Sequence, residues 1–271
     1  MDLEQLKREW KNPSAHNGVL QAKIWDNRAG EYEKKEIPNE KDDPFLKFLW
    51  KKAEPDADMQ VLDIGCGAGL YTIALAGRVK KAVGLDVSSR MIESAKRRAD
   101  DLGIANAEFG VQDWSKTDAQ RCGFQNGFDI VFAHMTPAVC GYHTFDQMNA
   151  CSKKYCFMAK PVRRRDAVQD GAFAAVGIDT QGKQMDDTVL NSFTYLWLKG
   201  YTPEVVKIDE VWSAKRSVEE MTAWCTDRAG VYKNLTAEEK NRIRNYVESV
   251  SEEGMVNEVV RTSIVTIYWH V

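Results

Sequence analysis

The chain has 271 residues, with 37 lysines and arginines against 40 acidic side chains, a formal net charge of −3, 44% hydrophobic and 28% charged residues. That is an ordinary globular composition, and the length predicts one α/β core with a cap or lid rather than two independent domains. No apolar run approaches the roughly 18–20 residues that cross a bilayer, and the charged opening Met1–Trp10 lacks the apolar stretch of a signal peptide. A mildly acidic chain is also a poor general binder of phosphate backbones. A cytoplasmic protein is therefore expected, with neither a membrane nor a nucleic acid as its partner.

Residues 1–43 are polar, interrupted by Pro13 and Pro38, and read as an N-terminal helical cap ahead of a main domain over residues 44–271. Phe45, Phe48, Leu49 and Trp50 share one face of a helix predicted over Pro44–Ala53. Strands and helices then alternate: Met59–Ile64 (strand), Leu70–Val79 (helix), Ala82–Asp86 (strand), and Ser88–Leu102 (helix, with Ser88 as N-cap and Gly103 as stop). Ala107–Val111, Phe128–Ala133 and Tyr155–Ala159 complete the strand series. This rhythm predicts right-handed βαβ units in a doubly wound, mostly parallel sheet of the Rossmann-like kind. After Pro161 it changes. Helices are expected over Arg163–Val176 and Met185–Leu198, as a lid insertion around residues 163–203, then a strand at Glu204–Ala214. Helices at Val218–Arg228 and Ala237–Glu252 precede a final strand at Val259–His270.

The most informative segment is Val61-Leu62-Asp63-Ile64-Gly65-Cys66-Gly67-Ala68-Gly69-Leu70, where an apolar strand enters a glycine-rich turn that opens a helix. Glycines suit a sharp turn that a ligand must approach without meeting a Cβ. A dinucleotide loop would space its glycines as G-x-G-x-x-G. Here the third comes one residue early, at Gly69, and Asp63 would repel a pyrophosphate while suiting a ligand with an ammonium and a sulfonium. Asp86 ends the next strand, where a carboxylate can accept from both ribose hydroxyls. Asp113, beside Gln112 and Trp114, follows the third and could take an adenine amino group.

Over about Asp56 to Pro161 the chain resembles the class I S-adenosylmethionine-dependent methyltransferases, in their small-molecule branch. The resemblance implies a seven-stranded sheet whose last strand is antiparallel. It implies that Asp63 and the backbone of Gly65, Cys66, Gly67 and Gly69 hold the methionine part of S-adenosylmethionine. Asp86 would hold the ribose, Val87 and Met91 the adenine face, and Gln112, Asp113 and Trp114 the adenine edge. The run Trp25–Tyr32 looks like a cap of this branch, in which an aromatic at Tyr32 closes over the cofactor.

In that family the fourth strand ends beside the transferred methyl, which places Ala133, His134 and Met135 near the sulfonium. His134 is the first candidate for a base or substrate orienter. Tyr142 and His143 are second candidates, and Arg163, in the basic run from Lys160 to Arg165, could clamp an acidic group of the acceptor. The segment Met135-Thr136-Pro137-Ala138 fits neither the amino-methylating DNA enzymes nor the cytosine C5 enzymes, so a small-molecule acceptor methylated at O, N or S is expected. A methyltransferase for tRNA or protein is the alternative, as is a protein that binds the cofactor without turnover; a nicotinamide dehydrogenase is disfavoured by Asp63 and Gly69. Cys140, Cys151 and Cys156 with His134 and His143 match no zinc-ligand spacing, and reduced thiols and no metal are expected.

Overall fold

The computed structural model describes residues 1–11, 18–33, 35–179 and 185–271. Pro13 and residues 180–184 of the expected lid lie outside the described residues. The elements are α1 (Leu3–Glu9), α2 (Gly18–Glu33), α3 (Pro44–Ala53), β1 (Gln60–Ile64), α4 (Leu70–Ala76), β2 (Lys81–Asp86), α5 (Ser89–Asp101) and β3 (Ala107–Val111). After a 3-10 turn at Trp114–Lys116 come β4 (Phe128–His134), α6 (Tyr142–Cys151), β5 (Ser152–Asp166), α7 (Ala167–Ala174) and α8 (Met185–Leu198). The chain continues through β6 (Glu204–Ser217), α9 (Val218–Gly230), α10 (Ala237–Ser249) and β7 (Met255–His270).

The strands form one seven-stranded sheet in the order β3-β2-β1-β4-β5-β7-β6. β3, β2, β1, β4 and β5 are parallel, with Val61 opposite Ala82 on one side and Ile130 on the other. β7 runs against both neighbours. Rising numbers on β5 meet falling numbers on β7, from the Lys154 carbonyl with the Val271 N–H (2.7 Å) to the Val162 carbonyl with the Thr262 hydroxyl (3.0 Å). Asp209 with Ser263 and Arg216 with Glu258 repeat the pattern across β6. The chain winds outward from β1 through β2 to β3, then returns to β4 on the other side. This reversal opens a crevice at the carboxyl ends of β1 and β4, where α/β sheets take their ligands.

Two compact units divide the chain: Met1–Lys160 with Thr188–Val206 and Thr266–Val271, and Pro161–Asp187 with Lys207–Val265. In the first, central strands β1 and β4 are buried except at Gln60 and His134, and apolar apart from these two, Asp63 and Asp129, as expected of strands covered on both faces. Its helices α3 and α5 start where side chains supply caps: Asp43 accepts from Leu46 N (2.8 Å) ahead of Pro44, and Ser88 from Met91 N (3.1 Å). The second unit packs Phe173, Val218, Met221, Cys225, Ile243, Val247 and Val256 into its own core. There α9 and α10 begin with reciprocal capping boxes, Ser217 with Glu220 and Thr236 with Glu239.

One expected element needs correction, and one helix was not expected. The helix expected from Arg163 begins only at Ala167, because β5 continues through Pro161 to Asp166. Beyond Ala159 no residue of β5 pairs with β4, so the missing N–H of Pro161 costs that ladder nothing. Arg163 sits there at φ +50°, an irregularity that a helical reading of the charged run does not anticipate. Helix α6 had no sequence signal beyond its own polar composition. It starts at Gly141, which has no capping side chain, and the Thr144 hydroxyl accepts from Gly141 N instead (3.1 Å).

Candidate functional site

The loop between β1 and α4 turns on three glycines in the left-handed region: Gly65 at φ +73°, Gly67 at +54° and Gly69 at +75°. They are needed for different reasons. A Cβ on Gly65 would lie 2.6 Å from Thr136 Cβ and nearer still to its hydroxyl, and one on Gly69 would lie 2.7 Å from the Phe109 ring and 2.8 Å from Ala95. A Cβ on Gly67 would meet nothing within 4 Å. The loop is therefore clamped at both ends and open in the middle. Its amides are fixed by the next strand: Gly65 N and Cys66 N donate to the Leu85 carbonyl (2.7 and 3.0 Å), and Gly67 N donates to Asp86 Oδ2 (2.9 Å).

Carboxylates surround this opening. Asp63, at the end of β1, is 2% exposed and accepts from the Thr72 hydroxyl (2.7 Å). Burial pushes its carboxyl up to about 7, against the pull of Thr72 and with a push from Asp86. Asp86, at the end of β2, divides its oxygens between Gly67 N and Ser88 N (2.9 Å each). Burial raises its pKa too, opposed by these backbone donors. A third carboxylate, Asp26 of α2, accepts from the Ser88 hydroxyl (2.5 Å) and Arg90 N (3.2 Å) at the start of α5. Sequence reading missed Asp26 and Thr72. Asp26 stands inside the Trp25–Tyr32 run, but nothing in a single sequence marks it as a partner of Ser88.

Helix α2 lies over the loop and α5. Its Ala29 is buried with Ala68 of the loop and Met91 of α5, and Trp25 and Tyr32 pack on the same cluster. Its first residue, Gly18, backs onto Asp113, where a Cβ would come within 2.8 Å of the carboxyl carbon. Asp113 caps the 3-10 turn through Ser115 and pairs with Lys116 (3.0 Å). Partial burial raises its carboxyl, but Ser115 and Lys116 together hold it below the usual range. Gln112 bonds the Thr117 hydroxyl (2.9 Å) and Val87 is half-buried beside Asp86. The Trp114 indole is instead turned inward, 3% exposed, donating to the Thr144 carbonyl (2.9 Å).

At the carboxyl end of β4, Ala133 is fully buried, and His134 is held between the rings of Phe45 and Tyr71, centroids 4.4 and 4.2 Å away. Burial pushes its imidazole down to about 3, so the ring is neutral at any physiological pH. Met135 follows at φ +55°, a strained position for a residue with a side chain, with its N–H on the Ala159 carbonyl (3.0 Å). The Thr136 side chain then covers Gly65, joining the tip of β4 to the glycine loop.

Other candidates lie elsewhere. Tyr142 packs edge-on against Tyr195 (5.4 Å), and His143 is exposed on α6. Arg163 belongs to the second unit, where after Lys207 and Ser263 it helps hold the Asp209 carboxyl low. Cys140 precedes α6 and Cys151 ends it, which separates them by about 15 Å at the helical rise. Burial pushes their thiols up to about 11 and about 12, and among the described residues no group of His, Cys, Asp and Glu could hold a metal ion.

A family model described as a methyltransferase domain matches residues 55–193, just over half of the chain. The chain belongs to that family of methyltransferase domains. Its curated relatives include the 23S rRNA (uracil(1939)-C(5))-methyltransferase RlmD of Stenotrophomonas maltophilia, 36% identical over 76 residues, 28% of this chain but only 17% of that protein. The chain thus spans about a sixth of the length of such relatives. Among solved structures, the YcgJ protein of Bacillus subtilis has a TM-score of 0.52 at 16% identity, covering 82% of this chain and 97% of that one. A geranyl diphosphate methyltransferase in complex with GPP and sinefungin also scores 0.52, at 14% identity over 93% and 98% of the two chains. Both likenesses are of fold. Among the described residues no helix is long and apolar enough to cross a membrane.

Proposed function

We propose that the crevice at the carboxyl ends of β1, β2 and β4 holds S-adenosylmethionine and directs its methyl group to a small-molecule acceptor. The observation that carries this reading is the row of carboxylates at successive strand ends, Asp63 and Asp86 beside a loop that is open at Gly67 and Asp113 after β3. When bound, the cofactor supplies a methyl group already activated by its sulfonium. Asp63 faces the positively charged methionine part, the Gly65–Gly69 backbone supports it, and Asp86 accepts from the ribose hydroxyls. Val87 and Met91 lie against the adenine, with Gln112 and Asp113 at its edge. The cap over residues 1–43 acts through α2, with Trp25 and Tyr32 shutting out water.

At the end of β4, Ala133, His134 and Met135 border the acceptor. A neutral imidazole with its pKa near 3 is a poor proton acceptor at pH 7, so His134 orients the acceptor by a hydrogen bond or by shape. Transfer of an activated methyl needs mainly alignment and a dry site. An acceptor atom that loses no proton in the transfer, such as an anionic oxygen, needs no base.

Calorimetric titration with S-adenosylhomocysteine tests the cofactor part, and an acceptor screen reading its release tests the rest. Absent binding would overturn the reading. His134→Ala should slow turnover while leaving cofactor affinity within about twofold, a change of ~0.4 kcal/mol. The short stretch shared with an rRNA methyltransferase supports a second reading, an RNA acceptor. Salt-sensitive RNA binding, with RNA-dependent release of S-adenosylhomocysteine, would favour it.

A further inference from the structure

One buried cation of the first unit forms no ion pair among the described residues. Lys160 follows the last residues of β5 that pair with β4, is 5% exposed, and donates from Nζ to the Thr136 carbonyl. Among the described residues no carboxylate forms an ion pair with it, and the one ionisable group whose charge reaches it is the Cys140 thiol, which stays protonated because burial pushes it up to about 11. Taking an ammonium out of water uncompensated costs several kcal/mol. An ammonium also has three donors, of which the Thr136 carbonyl takes one.

Its position gives that unspent charge a use. Thr136, whose carbonyl holds the ammonium, is the residue whose side chain covers Gly65. Nζ therefore stands one residue from the first glycine of the loop, on the β4–β5 side, while Asp63 and Asp86 stand on the β1–β2 side. The residues flanking Thr136 are partly open to solvent: Met135, Pro137 and Ala138 are half-buried, and Met135 is strained at φ +55°. Burial pushes the Lys160 pKa down to about 8, which leaves the group a cation at neutral pH.

We propose that Lys160 is the acceptor-recognising cation of this enzyme, pairing with an anionic oxygen (a carboxylate or a phosphate) and so selecting acidic small molecules. The proposal rests on the reading of the β4 end as the acceptor side. The acidic carboxylates face the positively charged methyl donor, and a lone cation faces the partner that receives the methyl.

Binding of benzoate, inorganic phosphate and neutral benzamide, with and without S-adenosylhomocysteine, tests it by calorimetry and thermal shift on the intact chain. The wild type should bind benzoate or phosphate and raise its Tm with it, and should ignore benzamide; which anion binds separates a carboxylate from a phosphorylated acceptor. Lys160→Met and Lys160→Gln should lose at least tenfold in anion affinity while binding S-adenosylhomocysteine as the wild type does. Benzoate and benzamide binding alike, neither anion binding the wild type, or anion affinity surviving in a folded Lys160→Met would each overturn the proposal. The first two need no variant. Anion binding that persists without any affinity for S-adenosylhomocysteine would instead remove the cofactor reading and leave the anion site standing.

Discussion

Replacing Gly65 by alanine combines two penalties that can be separated. The first is conformational: at φ +73° an alanine pays about 1–2 kcal/mol for the left-handed region. The second is steric, since the new methyl would fall 2.6 Å from Thr136 Cβ and 3.0 Å from Cγ2, with the hydroxyl closer than either. Overpacking of this kind adds roughly 1–3 kcal/mol. Gly65→Ala should therefore destabilise by about 2–5 kcal/mol in urea denaturation followed by circular dichroism. Thr136→Gly removes the whole obstructing side chain, so in that background Gly65→Ala should fall to the conformational part alone. The coupling is then about 1–3 kcal/mol. Thr136→Ala keeps the Cβ at 2.6 Å and should relieve only part of the clash. Gly67→Ala is the control: it meets nothing within 4 Å, should lose only the conformational part, and should show no coupling to Thr136. Its larger effect should be on cofactor affinity, since Gly67 is the open position of the loop. Equal losses for Gly65→Ala in both backgrounds would refute the claim that Thr136 seals the loop.

Asp86→Ala removes acceptors from Gly67 N and Ser88 N, and should lower S-adenosylhomocysteine affinity tenfold or more, at least ~1.4 kcal/mol by calorimetry; unchanged affinity would take Asp86 out of the site. Cofactor affinity should rise with pH through about 7 as Asp63 ionises to meet a positive ligand, a slope that Asp63→Asn should flatten, leaving only the contribution of Asp86. Stability should move the other way. A carboxyl whose folded pKa is raised contributes most below its unfolded value near 4 and loses that contribution as pH rises through about 7. Asp63→Asn should thus gain on the wild type in Tm between pH 5 and pH 8, and a constant difference would refute the assigned shift. Trp114→Phe should cost about 1 kcal/mol, the worth of one hydrogen bond to the Thr144 carbonyl, in the same denaturation assay.

The first half of the sheet could be read from the chain because each signal there is local. Apolar runs such as Val61–Ile64 are buried strands, Ser88 caps its own helix, and three glycines within five residues announce a loop. What could not be read depends on distant partners. Lys160–Arg165 looks like a charged helix start, and becomes strand because β7, a hundred residues later, supplies its neighbour. His134 looked like a titrating base, but Phe45 and Tyr71 enclose it from two other elements and take the proton away. Lys160 stood in the same basic run as Arg163, and nothing in their spacing told the buried cation from one facing Asp209.

Ser88 stands between two carboxylates: its N–H serves Asp86 and its hydroxyl serves Asp26 of α2. One residue thus ties the acid at the end of β2 to the helix that covers the loop. A ligand that draws on Asp86 changes the hold of Ser88 on Asp26, and the linkage is reciprocal, so swinging α2 away must alter ligand affinity by the same free energy. Breaking Asp26 is then a way to change how long a ligand stays bound without touching any group that contacts it.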